Sequence, residues 1–227
     1  LWSVPLNIRC LDNGTIIKEV IVSESQIMEI DGKVPFINNG GWSFFHSAYS
    51  EELFEMIIAD FEKLDINEKY RILEDSWMAL RTGELSLKLF LKLFNLYANE
   101  EEINTWSLIS SIFSTFAKID NSEEFKNYVK DFIYPLIEKY HNEGHQIAIH
   151  VQGEVAIDIA LNAFEKAQQQ NPRENHKHRL EHNALITEQQ IQRAIDIGVT
   201  LSFFIDHIHY YGDKLHHIVG KENTERY

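Results

Sequence analysis

The chain has 227 residues, 44% of them hydrophobic and 25% charged, a composition that builds one large globular domain or two small ones. Its formal net charge of −14 provides no basic stripe for a phosphate backbone, so neither nucleic acid nor an anionic membrane surface is expected as a partner. Cys10 is the single cysteine, no apolar run approaches a bilayer span and LWSVPLNIRC lacks a basic leader, which together predict a reducing, cytoplasmic setting. Residue 1 is Leu, so the chain is expected to continue upstream.

Residues 1–49 alternate in the manner of strands. SVPLNIRC, GTIIKEVIV and SQIMEI are separated by the turn signals Asp12-Asn13-Gly14 and Asp31-Gly32, which predicts a small antiparallel sandwich or sheet. From Ser50 the period becomes helical: Leu53, Ile57, Ile58 and Phe61 share one face behind a Ser50 N-cap and an acidic first turn. Further helices are predicted over Glu68–Thr82, Ser86–Ala98, Ile103–Ala117 and Glu123–Lys139, broken by Gly83, by Glu100-Glu101-Glu102 and by Asp120-Asn121-Ser122. Short loops between amphipathic helices imply an antiparallel stack over residues 50–141.

The pattern changes again after Gly144. QIAIH, IDIALNAFEKA, HRLEH, TEQQIQRAIDI and GVTLSFF read as strand, helix, strand, helix, strand, with strands apolar enough for burial on both faces of a parallel sheet. Three strands are too few to close a barrel, which needs about eight. The predicted architecture is therefore multidomain α and β: a β-sandwich-like segment at 1–49, a helical domain at 50–141, and a partial parallel β/α segment, an incomplete TIM-type barrel, at 142–227. The sheet edges such a segment leaves uncovered invite association.

Two resemblances attach to these parts. LWSVPLNIR, NNGGWSFFHSAYS, KYRILEDSWMALRTGELS and NTWSLISSI resemble zinc aminopeptidases of the aminopeptidase N and puromycin-sensitive type, over the β-sandwich and carboxyl-terminal helical domains of that family. Ser43 and His46 stand where glycine and arginine are usual, and no His-Glu-x-x-His occurs in the sequence to hold that family's zinc. The resemblance implies a non-catalytic scaffold that covers a catalytic cleft and shapes a peptide chamber. GHQIAIHVQGEVAIDIALNAFEKA, HRLEHNALITEQQIQRAIDIGVTLSFF and DHIHYYGDKLHHIVGKENTER are similar to metal-dependent amidohydrolases of the N-substituted formamide deformylase-like branch. This second resemblance implies zinc or another divalent metal, a small amide or peptide substrate, and C–N bond hydrolysis.

On the amidohydrolase pattern, the metal ligands ending two barrel strands fall on His150 and His182. His207 falls on a histidine that faces substrate, and Glu154 stands where aspartate is usual. Glu181 is expected as a carboxylate supporting His182. The residues alone allow the same assignment, because an imidazole at the carboxyl end of a parallel strand is a fixed, solvent-reachable ligand. The competing reading is a hydrogen-bonded histidine at each strand end. A catalytic zinc needs about three protein ligands, so the resemblance implies a site left incomplete in these residues.

Other patterns carry less. His178-Arg179-Leu180-Glu181-His182 matches the inverted zinc-peptidase signature H-x-x-E-H, which requires a helical turn. The polar NPRENHKH before it and a helix start near Thr187 argue against that turn. His207-Ile208-His209 follows the third strand and is expected to be a polar loop, and His216-His217 a solvated helix face. Trp42, Phe44, Phe45, Trp77, Phe90, Phe94 and Tyr97 are expected in the core.

Overall fold

A computed structural model describes residues 3–21, 27–120 and 122–224, with the side chains of residues 20, 21, 207 and 208 outside that set. The chain forms two compact units, residues 1–119 and 120–227.

The first unit begins with β1 (Val4–Cys10), β2 (Ile16–Ile21) and β3 (Pro35–Ile37), which form an antiparallel sheet in the order β2-β1-β3. Leu6, Ile8 and Cys10 alternate inward and are buried, as the period of two requires. The third strand is not the expected SQIMEI. Residues 27–30 carry no strand, residues 25 and 26 lie outside the described set, and residues 35–37 pair with β1 instead. The cause is Asp12. Its Oδ1 accepts the N–H groups of Lys33 (3.0 Å) and Val34 (3.1 Å), drawing the chain after the Asp31-Gly32 turn back against β1. Gly32 is needed there, since a Cβ would lie 2.6 Å from Cys10 Cβ.

Four helices follow in this unit: α1 (Glu51–Ala59), α2 (Ile66–Thr82), α3 (Leu87–Phe94) and α4 (Ile103–Phe116). Each start has a chemical reason. Ser50 and Ser86 cap α1 and α3 through their hydroxyls, and Asp65 forms a reciprocal capping box with Glu68 at α2. Glu102 caps α4 by accepting Thr105 N–H at 2.7 Å, so the acidic run that separates the two predicted helices supplies the cap of the second. Hydrogen bonding from Thr105 holds the Glu102 carboxyl below its ordinary range. At the far end of α2, Gly83 takes the left-handed conformation (φ 80°) that closes the helix.

The core of this unit gathers Phe54, Ile57, Ile72, Leu73, Phe90, Leu93, Phe94, Tyr97, Ile109 and Ile112. Tyr97 meets Phe61 edge-on at 5.1 Å, and Trp77 lies between Phe90 and Phe116 at 5.7 and 5.4 Å. Trp42 and Phe44 depart from expectation: 79% and 105% exposed, they project from the Gly40-Gly41 turn into solvent.

The second unit opens with α5 (Glu123–Asn142) and continues as β4 (Ala148–Val151), α6 (Glu154–Gln170), β5 (Arg179–His182), α7 (Glu188–Asp196) and β6 (Thr200–Phe203). Short helices α8 (Asp206–Tyr211), α9 (Leu215–Val219) and α10 (Lys221–Thr224) follow. The strands pair in parallel in the order β4-β5-β6. Ile149, Val151, Leu180 and Leu201 face a core built with Ile157, Leu161 and Phe164 of α6, Ile137 of α5 and Ala194 of α7. The other face is open: Ala148, His150, Arg179 and Thr200 are exposed, and Glu181 and Ser202 half-buried. Burial of the strands on both faces is therefore not what forms. Every second residue of β4, β5 and β6 is small or polar, so only one face supplies apolar area to bury.

Candidate functional site

The predicted ligands meet at the carboxyl ends of β4 and β5. His150 pairs in register with Glu181, and Val151 with His182. His182 leaves the strand at φ 76° and Asn183 follows at φ 52°, two left-handed residues that turn the chain sharply. The buried Asn183 fixes this turn by donating through Nδ2 to Leu180 O (2.8 Å) and Ser202 O (3.1 Å). As a result the rings of His150 and His182 lie 4.3 Å apart at an interplanar angle of 57°, with Phe204 edge-on to His182 at 5.2 Å. Gln152 Nε2 lies 3.2 Å from His150 Nε2 and donates to it when the ring proton is on Nδ1.

Among the described residues, no other predicted group joins this pair in a three-ligand cluster. Glu181 forms an ion pair with Arg179 and bonds Ser202, and these contacts, Ser202 first, hold its carboxyl below the ordinary range. Glu154 is the first residue of α6, half-buried, and its backbone carbonyl accepts from Gln190 Nε2 at 2.9 Å. His207 lies in α8, with its side chain outside the described residues. A cavity of about 390 Å³ adjoins the site, lined by Gln152, Gly153, Ala184, Leu185, Tyr211 and Leu215 among others. Two imidazoles fall short of the three protein ligands of a catalytic zinc. Among the described residues, the one three-ligand cluster of metal-binding geometry is elsewhere, so the residues present do not fit a complete catalytic metal site.

That cluster is His46, Glu74 and Asp75 in the first unit. His46 Nδ1 lies 2.9 Å from Asp75 Oδ1, and Ser47 N–H donates to Asp75 Oδ2 at 3.1 Å. Arg71 already places a cation among these groups: it pairs with Glu74, lies 3.4 Å from Asp75 and donates to Phe45 O at 2.7 Å. Burial raises the Asp75 carboxyl, with His46 and Arg71 opposing that rise. The arrangement anchors the GWSFFHSAY loop onto α2 by charge, with the Arg71 guanidinium beside both carboxylates.

The H-x-x-E-H signature does not form a metal-binding turn, because residues 179–182 are a strand. His178 lies inside the protein, in a cluster with His141 of α5 and with His176, although NPRENHKH, which holds His176 and His178, was expected to be a polar loop. The signal was present. His176, His178 and Leu180 are buried while Lys177 and Arg179 are exposed, so the period of two that marks β5 starts three residues before it. His216 and His217 are exposed on α9, as a solvated face requires.

A family model described as the ERAP1-like C-terminal domain matches residues 36–191. The match starts in β3, takes in the helices α1 to α6 with β4 and β5, and ends in α7; it runs past residue 141, where the sequence pattern changes. Among curated proteins, none matches the chain. With the match covering well over half of its length, the chain belongs to the ERAP1-like C-terminal domain family.

Proposed function

We propose that this chain is a non-catalytic helical interaction module of a zinc aminopeptidase, presenting a surface to peptide or to a catalytic partner domain. The observation that carries this reading is the family match over residues 36–191 in a sequence that lacks His-Glu-x-x-His. Trp42 and Phe44 support it, since two exposed aromatic side chains two residues apart in one loop are suited to contact a partner. The test is fluorescence anisotropy with labelled unstructured peptides, run beside an aminoacyl-coumarin hydrolysis assay in the presence of zinc. Saturable binding without hydrolysis is expected, with binding weakened in a Trp42→Ala, Phe44→Ala double variant. Zinc-dependent hydrolysis, or no binding at any accessible concentration, would overturn it.

A second reading rests on the His150–His182 pair. Two imidazoles 4.3 Å apart at the ends of adjacent parallel strands support it, as does the parallel β4-β5-β6 order, which a segment of a TIM-type barrel would have. On this reading residues 142–227 are an amidohydrolase-like segment whose open, polar sheet face is the inner wall of an unclosed barrel. Calorimetric titration with zinc distinguishes the two readings. Stoichiometric binding abolished by His150→Ala and His182→Ala favours this reading, and zinc uptake that survives both changes removes it.

A further inference from the structure

The cluster His141–His176–His178 lies at the opposite end of the parallel sheet from His150 and His182, and it has the construction of a latch. Five segments converge on it: the end of α5, the approach to β4, the loop 171–178, α6 and the turn before β6. All three histidines are buried. Ile147 N–H donates to His178 Nδ1 (3.1 Å), which therefore carries no proton, so His178 Nε2–H donates to His141 Nδ1 (2.8 Å). His141 Nε2–H in turn donates to Asn171 O (2.7 Å). His178 N–H donates to His176 Nδ1 (2.9 Å), which leaves His176 Nε2–H to donate to Ile197 O (2.8 Å). Every ring nitrogen is used, in one tautomer each, and every ring is neutral. A proton added to any of them turns an acceptor into a donor facing another donor.

The surroundings oppose a proton on His178. Arg173 donates to the carbonyls of His141 (2.7 Å), Gly144 (2.7 Å) and His145 (3.0 Å), which brings a fixed positive charge against the cluster. From α6 the neighbour is the uncharged Phe164 ring, stacked on His178 at 4.8 Å. Glu174, Lys177 and Asp196 line, with His176, an open cavity of about 550 Å³, and Glu143 pairs with His145 at 3.6 Å on the surface beyond. Among the described residues no carboxylate bonds any of the three rings.

We infer that the three histidines form an acid-released latch, which holds the loop 171–178 against α5, β4 and the turn before β6 at neutral pH and lets it open when the cluster takes up protons. Burial, with the neighbouring His176, His141 and Arg173, lowers His178 to about 3, so protonation is coupled to opening. The inference is independent of both functional readings above.

Hydrogen exchange of the full chain at pH 7.5 and pH 5.0, corrected for the intrinsic pH dependence of exchange, tests it. Opening at the amides of Ile147, His178 and Thr200 is expected to rise by about tenfold or more in acid, while α2 in the first unit changes by less than about twofold. Equal change in both units, or none at these amides, would overturn the latch. His178→Asn keeps an oxygen where Nδ1 accepts from Ile147 but has no ring to titrate; its acid response is expected to fall below about threefold, and a folded variant that keeps the full response rejects the proposal. If that variant does not fold, ring ¹⁵N shifts of the wild-type chain decide the matter. A protonated His178 ring in a chain whose Ile147 amide is still protected would overturn it.

Discussion

Replacing Glu68 by alanine should destabilise the first unit more than any single change on its surface. Glu68 is fully buried and takes four donors: both Nε (3.3 Å) and Nη2 of Arg9 in β1, Gly40 N–H (3.1 Å) and Asp65 N–H (3.0 Å). One carboxylate thus holds the sheet, the Gly40 turn and the start of α2 together. Breaking a buried ion pair from one side costs about 3–5 kcal/mol, and loss of a capping-box contact adds of order 1 kcal/mol. Arg9 retains Asn39 Oδ1 (3.0 Å) and Lys63 O (3.1 Å) and its side chain is 22% exposed, which places the expected loss near the lower figure, about 3 kcal/mol. Glu68→Gln keeps the volume and an acceptor, and should lose about 1–2 kcal/mol. Urea unfolding followed by tryptophan fluorescence reads this unit selectively, because all four tryptophans (2, 42, 77 and 106) lie within residues 1–119. A loss below about 1 kcal/mol for Glu68→Ala, together with no coupling between Glu68→Gln and Arg9→Met in a double-mutant cycle, would refute the reasoning.

Other outcomes are equally open to measurement. His178 is lowered to about 3 in the folded chain against an ordinary value of 6.5, so between those values the unfolded chain binds the proton more readily and stability of the second unit falls as pH falls. The loss should reach about 2 kcal/mol between pH 7.5 and 5.0, with no His178 contribution above about 7.5; urea midpoints by circular dichroism that stay flat across this range contradict it. Phe164→Ala removes a fully buried ring that also stacks on His178, and should cost the second unit about 3–5 kcal/mol while leaving the tryptophan-detected transition unchanged. Limited proteolysis is expected to cut first between residues 203 and 224, where Phe203, Phe204, Ile205 and Tyr210 are exposed, and an initial cut within α2 or α3 would argue against that order.

The helical part of the fold was legible because its signals are local. Ser50 and Thr187 cap the helices they were expected to cap, and Gly83 ends α2 where the periodic pattern stops. What sequence reading missed depends on contacts between distant residues. Asp12 decides which later segment becomes the third strand, and nothing near Pro35 announces it. Trp42 and Phe44 have core composition but follow Gly40 and Gly41, whose positive φ values (76° and 72°) swing the loop outward. The candidate site was half legible. His150 and His182 converge because β4 and β5 pair in parallel, whereas the buried His141 needed the tertiary fold to reveal it. His176-x-His178-x-Leu180 shows that a histidine at strand period belongs to the inner face whenever its hydrogen bonds are supplied there.

The parallel sheet of the second unit has a consequence for the order of assembly. β1 and β2 are joined by a tight turn, so the first ladder of the protein closes a short loop. Neither pairing of β4-β5-β6 is available until an intervening helix has formed and been carried across, which makes loop closure precede any reward from the ladder. Unit two should therefore mature after unit one, leaving β5, which carries His182 and directly follows His178, as the last common partner to be captured. During that interval its apolar face is uncovered while the net charge of −14 acts between chains, and like-charge repulsion keeps half-formed molecules apart long enough for the central strand to find its neighbours.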